Sequence, residues 1–233
     1  MYNKCFVACL DILGFKKIIE NQDATIVNES LSQLKEFSNI LTGARLHKPN
    51  PKIHSLLISD TLLLFSEVDN EKSFKYVTGN IAETICAGMG FSITNIRPMR
   101  FRGAISWGDF YYDEAENFFF GPAYNEAVEW EKKQEWIGAI LTPSCATFVQ
   151  QKGYDQSQFV EYEAPIKEII KEGAKCETII NPTRCLCVNW TTGFACENVR
   201  YDEINHSLYN STEEIRNKLE NTHEFYKYCR TKA

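Results

Sequence analysis

The sequence predicts an α+β fold in which helices pack on a sheet containing antiparallel strands. Three observations carry that prediction. A continuous apolar run of strand length, Cys5 to Leu10, opens the chain and suits a central strand covered on both faces. Two short apolar runs, Ile53 to Ile58 and Thr61 to Phe65, flank Ser59-Asp60 as the arms of a hairpin flank its turn. Between the extended runs, apolar residues recur at helical spacing, giving the order strand, helix, hairpin, helix, hairpin, helix, strand.

Each element has its own signal. After the first strand, Ile18, Ile19, Ile26, Leu31, Leu34, Phe37, Ile40 and Leu41 predict one or two helices, broken near Asn21 to Asp23 and ending near Thr42-Gly43. Lys48-Pro49-Asn50-Pro51 reads as a loop, and Ile81, Ile85 and the Gly88-x-Gly90 stop predict a helix over Glu71 to Ala87. Beyond Arg97-Pro98, Met99 to Ser106 is strand-like, Gly108 marks a turn, and Asp109 to Tyr112 reads as the return strand. Gly121-Pro122 leads into a helix from about Ala123 to Gln134, because proline is tolerated in a first turn. Trp136 to Leu141 follows as a strand, and Thr142-Pro143-Ser144 opens a further helix with Thr142 or Ser144 as cap. From Gly153 the pattern is less regular, with a strand at Cys185 to Trp190 and a charged amphipathic helix from Ser211 to Tyr228.

Composition narrows the class. With 233 residues, 44% apolar, the chain can bury roughly 70% of its unfolded surface and needs no structural metal or disulfide framework. It reads as one globular domain, residues 1–233. A net charge of -6 argues against binding a nucleic-acid polymer, which needs a basic face, but leaves a single nucleotide open. No apolar run approaches the roughly 20 residues of a membrane span, and no signal-peptide pattern follows Met1, so a cytoplasmic location is expected. The nine cysteines include no Cys-x-x-Cys pair. Cys185-x-Cys187 shares one strand face but has no second pair or nearby His to make a zinc site, and Cys5, Cys9, Cys86 and Cys187 read as buried reduced thiols.

Two aspartates stand where chemistry is expected. Asp11 ends the first strand and Asp60 joins the second and third, so adjacent central strands would bring the two carboxylates together. Oxygen ligands of that kind suit Mg²⁺ or Mn²⁺, which completes its shell with water and substrate phosphates. Gly14 lies at a strand-to-helix junction, where free amides can bind phosphate oxygens. The bland alternative makes Asp11 a helix cap and Asp60 a turn residue. Ser106 has no His or Asp partner at a recognisable spacing, so a hydrolase triad has no support.

Over roughly residues 5 to 145 the sequence resembles the class III nucleotidyl cyclases, and within them the pyrimidine cyclases of bacterial Pycsar antiphage defence. Asp11-Ile12-Leu13-Gly14-Phe15 is similar to the family's metal motif and Ser59-Asp60 to its hairpin turn. Arg102-Gly103-Ala104-Ile105-Ser106-x-Gly108 is similar to the later strand motif, Gly121 to Ala127 to the start of the family's helix, and Trp136 to Thr142 to the strand after it. The segments Tyr162 to Lys167 and Cys187 to Trp190 resemble the C-terminal part of the defence cyclases, within an extension of about residues 146–233. The resemblance implies a ferredoxin-like core that forms a head-to-tail homodimer. In it Asp11, Ile12 and Asp60 hold two Mn²⁺ or Mg²⁺ ions, Gly14 and Phe15 hold the phosphates, and Asn125 reaches in from the other subunit. The reaction implied converts UTP to 3′,5′-cyclic UMP and pyrophosphate, the product acting on a separate cyclic-nucleotide-sensing effector.

Departures from the purine-specific pattern shape that expectation. Leu56 and Phe118 stand where purine cyclases place base-reading polar residues, so a purine edge would lose hydrogen bonds at roughly 1–3 kcal/mol each. His54, on the strand face of Leu56, and Tyr124 are further candidates for the base pocket, and His54 or Asn50 for telling uracil from cytosine. Glu129 stands where the family has a transition-state arginine. Arg102 is the preferred replacement, ahead of Arg100, which alternation places on the same strand face, and of Lys132 or Lys133. CTP is the alternative substrate, and a cyclase-fold protein that binds without turnover is the alternative class.

Overall fold

Strand β1 (Asn3–Ile12) runs through the middle of the protein, fully buried on both faces from Phe6 to Leu10. Alternation along it sorts the core into two layers. Phe6, Ala8, Leu10 and Ile12 point into the larger apolar cluster, whereas Cys5, Val7 and Cys9 point into a smaller one on the opposite face. The computed structural model describes residues 3–21, 53–66, 68–88, 100–113, 115–116, 118–172, 175–192 and 213–232, with isolated positions between 23 and 35. Asn50, the Lys48 to Pro51 loop, the expected helix end at Thr42-Gly43 and the Arg97-Pro98-Met99 restart lie outside the described residues.

The expected hairpin is present as β2 (Ile53–Ile58) and β3 (Thr61–Ser66), with Ser59 at a positive φ of 57° in its turn. Strand β1 pairs antiparallel with β3 on one side and with β4 (Phe101–Asp113) on the other. Strand β6 (Gly138–Leu141) is parallel to β4, and β7 (Phe159–Glu172) and β8 (Lys175–Val188) complete one mixed sheet ordered β2-β3-β1-β4-β6-β8-β7. Short β5 (Phe118–Phe120) pairs with β4 outside that order.

Helix α1 (Phe15–Asn21) follows the first strand, and α2 (Glu71–Gly88) covers the larger cluster with Phe74, Val77, Ile81 and Ile85, all fully buried at three- and four-residue steps. On the same layer lie α4 (Pro143–Lys152), through Cys145, Phe148 and Val149, and α5 (Glu213–Lys232), through Leu219, Phe225 and Cys229. The opposite layer is covered by α3 (Pro122–Lys133), whose Ala123 and Ala127 sit on Val7, Cys9 and Phe110. Among the described residues no helix is long and apolar enough to cross a membrane.

Several expectations are corrected. Gly108 is not a turn: β4 continues through it in register with Cys5, and a Cβ there would lie 3.6 Å from the Ala123 side chain of α3, an ordinary contact. The strand expected at Trp136 begins at Gly138, Trp136 being fully buried edge-on to Phe225. The first-turn amide and hydroxyl of Ser144 are bonded by the Glu126 carboxylate from α3, and Thr142 makes no side-chain cap. The region after Gly153 is a long hairpin of β7 and β8, each 14 residues or about 46 Å. Its outer arms alternate charged residues with Ile169, Ile170 and Ile180, all exposed, and pair Pro165 with Pro182, a composition that masks strand signals. Cys5, Cys9 and Cys187 are free and buried as expected, whereas Cys86 is buried but disulfide-bonded.

Gly103 sets the approach of β4 to β1. A Cβ at this position would lie 2.8 Å from the Cys9 carbonyl and 3.0 Å from Leu10 Cγ, with no soft side-chain end to yield. Gly103→Val should therefore lower the unfolding free energy by about 1–3 kcal/mol in urea denaturation; unchanged stability would refute the close approach.

Candidate active site

Strand register determines which residues meet. Asp11 is paired with Thr61 on β3 and with Arg102 on β4, and its odd position puts it on the layer shared by Val7 and Cys9. The Ile12 amide donates to the Asp60 carbonyl at 3.1 Å, which ties the hairpin turn to the end of β1. The two aspartates are thus brought together as expected, near enough for Asp60 to act on the ionisation of Asp11. Burial is the largest influence on the Asp11 carboxyl and raises its pKa; Arg102 opposes that shift and the charge of Asp60 adds to it.

Arg102 is the hub of the cluster. Its Nε donates to Glu131 Oε1 at 2.5 Å, one terminal nitrogen to Asp11 Oδ2 at 3.2 Å, and the other to the Gln134 carbonyl at 3.3 Å. Glu131 is 4% exposed, and burial pushes its carboxyl up to about 7, with Arg102 opposing and Asp11 adding to the shift. The sequence reading passed over Glu131, because a charged residue in a helix usually faces water. A signal was present: Ala123, Ala127 and Glu131 recur every four residues on the buried side of α3. Gln134, also fully buried, locks the end of α3 by donating to the Gly103 carbonyl at 2.6 Å and accepting from the Trp136 indole at 2.9 Å.

The donor set fits a hard divalent cation. Asp11 and Glu131 both contact the Arg102 guanidinium and Asp60 lies near enough to raise the Asp11 carboxyl, so negative charge is in excess when all three are ionised. Ile12 has no donor in its side chain and can offer only backbone oxygen. No group of three or more His, Cys, Asp and Glu side chains among the described residues is arranged to enclose an ion. Such a partial oxygen shell suits Mg²⁺ or Mn²⁺, which keeps water and phosphate ligands.

Gly14 has φ of 76°, a left-handed conformation that a side chain would strain, and α1 starts directly after it. The Phe15 ring is packed in the core, so only its backbone amide can serve a ligand. On the open part of the Asp11 layer, His54 stacks on Phe65 at 4.8 Å between ring centroids and meets Tyr112 at 5.7 Å, while half-buried Leu56 packs beside them. Tyr124 joins the same cluster, its ring 5.0 Å from Phe119. Phe118 stands apart: it is 55% exposed and groups with Tyr111 and Phe120, so Phe119 takes the inner position on β5.

Asn125 is exposed in the first turn of α3, six residues or about 9 Å along the axis from Glu131, and does not join the Asp11 cluster of its own chain. Glu129 is exposed and paired with Lys133 at 2.6 Å, and Lys133 also lies over the Trp130 ring. Arg100 precedes β4, and its side chain lines a cavity in which neither Asp11 nor Arg102 takes part, which corrects the expectation that the two arginines share a strand face. Ser106 bonds the carbonyls of Val7 and Ala123, a structural role.

The raised carboxyl of Glu131 has a consequence for stability. The folded protein retains this proton to about pH 7, whereas the unfolded chain releases it near the ordinary glutamate value of 4.5. The folded state therefore binds more protons in this window, and stability falls as pH rises through it. Between pH 5 and pH 8 in metal-free buffer, the wild type should lose up to about 2–3 kcal/mol more than Glu131→Gln. Parallel pH profiles in urea denaturation would contradict the buried, proton-holding state of Glu131.

No protein-family model matches the sequence, and no curated protein matches it. Solved structures do. The guanylate cyclase domain of RhGC from Catenaria anguillulae, in complex with GTP, is 14% identical and superposes with a TM-score of 0.54 over 80% of this chain and 96% of its own. The monomeric guanylyl cyclase domain of the RhoGC fusion protein from the aquatic fungus Blastocladiella emersonii is 14% identical, with a TM-score of 0.55 over 78% of this chain and 96% of its own. A bacterial light-regulated adenylyl cyclase is 13% identical, with a TM-score of 0.51 over 82% of this chain and 92% of its own. The chain has the α+β fold of the class III nucleotidyl cyclase domains.

Proposed function

We propose that the protein is a nucleotide cyclase that converts UTP to 3′,5′-cyclic UMP and pyrophosphate. The observation that carries this reading is the meeting of Asp11, Asp60 and Arg102 at the end of β1, beside a layer of Leu56, His54, Tyr112, Phe119 and Tyr124. The first group has the charges for a triphosphate and its counter-ions. The second is a largely aromatic wall in which Leu56 and Phe119 offer no partner to a purine edge.

In the reaction the ribose 3′-oxygen attacks the α-phosphorus, the bond from that phosphorus to the β-phosphate bridge breaks, and the 3′ proton leaves to solvent. Asp11, Asp60 and the Ile12 carbonyl would hold Mg²⁺ or Mn²⁺, which would supply Lewis acidity and charge neutralisation for the triphosphate. Arg102, engaged by Glu131, Asp11 and the Gln134 carbonyl, keeps one N–H on each terminal nitrogen to offer to phosphate oxygens. The Gly14 and Phe15 amides orient the terminal phosphates. Asn125 lies too far along α3 to reach its own Asp11, and in this reading it serves the site of the second subunit in a symmetric homodimer. The cyclic product then acts through a separate effector in antiphage defence. A base-pocket role for Phe118 passes to Phe119, and CTP remains the alternative substrate.

A second reading, nucleotide binding without turnover, is favoured by Glu129, a carboxylate that cannot supply the positive charge of an arginine. Incubation with equimolar ATP, GTP, CTP and UTP plus Mn²⁺ should yield mainly cyclic UMP. Mainly cyclic CMP would change the base within the same class, a purine product would overturn the pyrimidine assignment, and no product would favour the binding protein. Asp60→Asn should lose at least about a hundredfold in rate with the fold intact. Mixing Asp60→Asn with Asn125→Ala chains should restore activity, because each heterodimer has one unaltered site; absence of rescue after verified subunit exchange would exclude shared sites.

A further inference from the structure

Helix α3 carries Asn125 in its first turn and has no side-chain cap of its own. Gly121 stands at the N-cap, Pro122 has no amide, and the Asn125 amide closes the first turn on the Gly121 carbonyl at 3.1 Å. A helix start of this kind frays unless other elements hold it.

Side chains from the sheet and from α4 do so. On the buried side, the Ser106 hydroxyl donates to the Ala123 carbonyl at 2.5 Å. On the α4 side the tie is Glu126, the half-buried neighbour of Asn125. Its Oε1 accepts from the Ser144 amide at 3.2 Å, and its Oε2 accepts from the Ser144 hydroxyl. The same hydroxyl oxygen accepts from the Trp107 amide of β4 at 3.3 Å and lies 3.2 Å from the fully buried Thr142 hydroxyl. A chain of hydrogen bonds therefore runs from α3, through the start of α4, to the sheet.

The arrangement suits both helices. The Ser144 amide is a first-turn donor without a partner in its own helix, and a carboxylate there complements the positive end of the α4 dipole. At the other end of α3, Glu131 ties the helix to Arg102, so a charged side chain fixes each end. Neighbouring residues are set about 100° apart around a helix, and a roll that released Glu126 would turn Asn125 with it.

We infer that Glu126 is a positioning residue for Asn125: bound to Ser144, it fixes the roll of the first turn of α3 and hence the direction in which the Asn125 amide leaves the chain. Its effect on turnover rests on the cyclase reading, in which Asn125 completes the site of the second subunit, whereas the coupling of Ser144 and Glu126 to Asn125 does not.

The first test is steady-state kinetics with UTP and Mn²⁺. Glu126→Ala should lose about tenfold in kcat with KM changed less than about threefold, and Glu126→Gln, which keeps an acceptor for the Ser144 amide, should lose less than about threefold. Ser144→Ala cuts the tie from the other helix and should lose about fivefold, which keeps the test valid if Glu126→Ala folds poorly. Subunit mixing adds a readout that a general loosening of the chain would not give. With Asp60→Asn chains, Glu126→Ala should regain the rate of one full site; with Asn125→Ala chains it should not, because every site then takes its α3 from an altered chain. Selective nitrogen-isotope labelling of asparagine reads the coupling without turnover: the side-chain amide signals of Asn125, identified by their loss in Asn125→Ala, should shift in Ser144→Ala. Unchanged kcat in a folded Glu126→Ala chain, rescue by Asn125→Ala chains in place of Asp60→Asn chains, or unshifted Asn125 signals in Ser144→Ala overturns the assignment. If the wild type cyclises no nucleotide while those signals still shift, the cyclase reading fails and the coupling stands.

Discussion

Arg102 must satisfy a guanidinium in a place that is largely closed to water, and it does so with groups from two other elements: Asp11 on β1, and Glu131 with the Gln134 carbonyl on and just after α3. An ion pair of this kind adds little net stability, because desolvation offsets much of the attraction, but removing one partner strands the other at about 3–5 kcal/mol. Its effect is to fix register. Gly103, next to Arg102, permits the close contact with the Cys9 carbonyl, so β1 and β4 meet with Asp11 opposite Arg102. Placement of the carboxylate at the strand end thus follows from sheet pairing and from one buried charge.

The same constraint governs the electrostatics. Burial makes Asp11 and Glu131 reluctant to ionise, and Asp60 adds a further negative charge near Asp11. Arg102, with a smaller contribution from Lys132 at Glu131, balances only part of this. Such a cluster has its lowest energy either with a proton retained, as the raised value of Glu131 indicates, or with an added cation. A binding-only module has little physical reason to gather mutually repelling carboxylates at the mouth of a strand.

Legibility in the sequence depended on how local each signal was. Asp11 and Asp60 could be read because each interrupts apolar runs, and the pairing of adjacent strands then brings them together. The helices over 71–88, 122–133 and 213–232 followed from spacing and prolines. Glu131 was hidden because a glutamate in a charged helix resembles a solvated one until the small residues four and eight positions earlier are seen to face the sheet. The exchange of Phe118 for Phe119 has a different origin. In a strand a shift of one residue reverses the face, and the register of β5 against β4 is set by pairing that no local pattern encodes. Gly108 misled for a similar reason, since β4 runs on through it in a pairing with Cys5 that no local pattern encodes.

The C-terminal extension was the least legible part, and packing explains its importance. Leu219, Phe225 and Cys229 of α5 join the same buried cluster as β1, and the Trp136 and Phe225 rings meet edge to face at 4.5 Å. The Thr222 hydroxyl accepts the otherwise isolated amide of Ile137, so the helix closes the start of β6 by a hydrogen bond as well as by apolar contact. A helix held in this way cannot move without exposing core, and the residues it presents beside Gly14 are as fixed as those of β1. The extension is therefore part of the layer that packs beside the turn between β1 and α1, while the Asp11 face at the end of the strand is governed by Arg102.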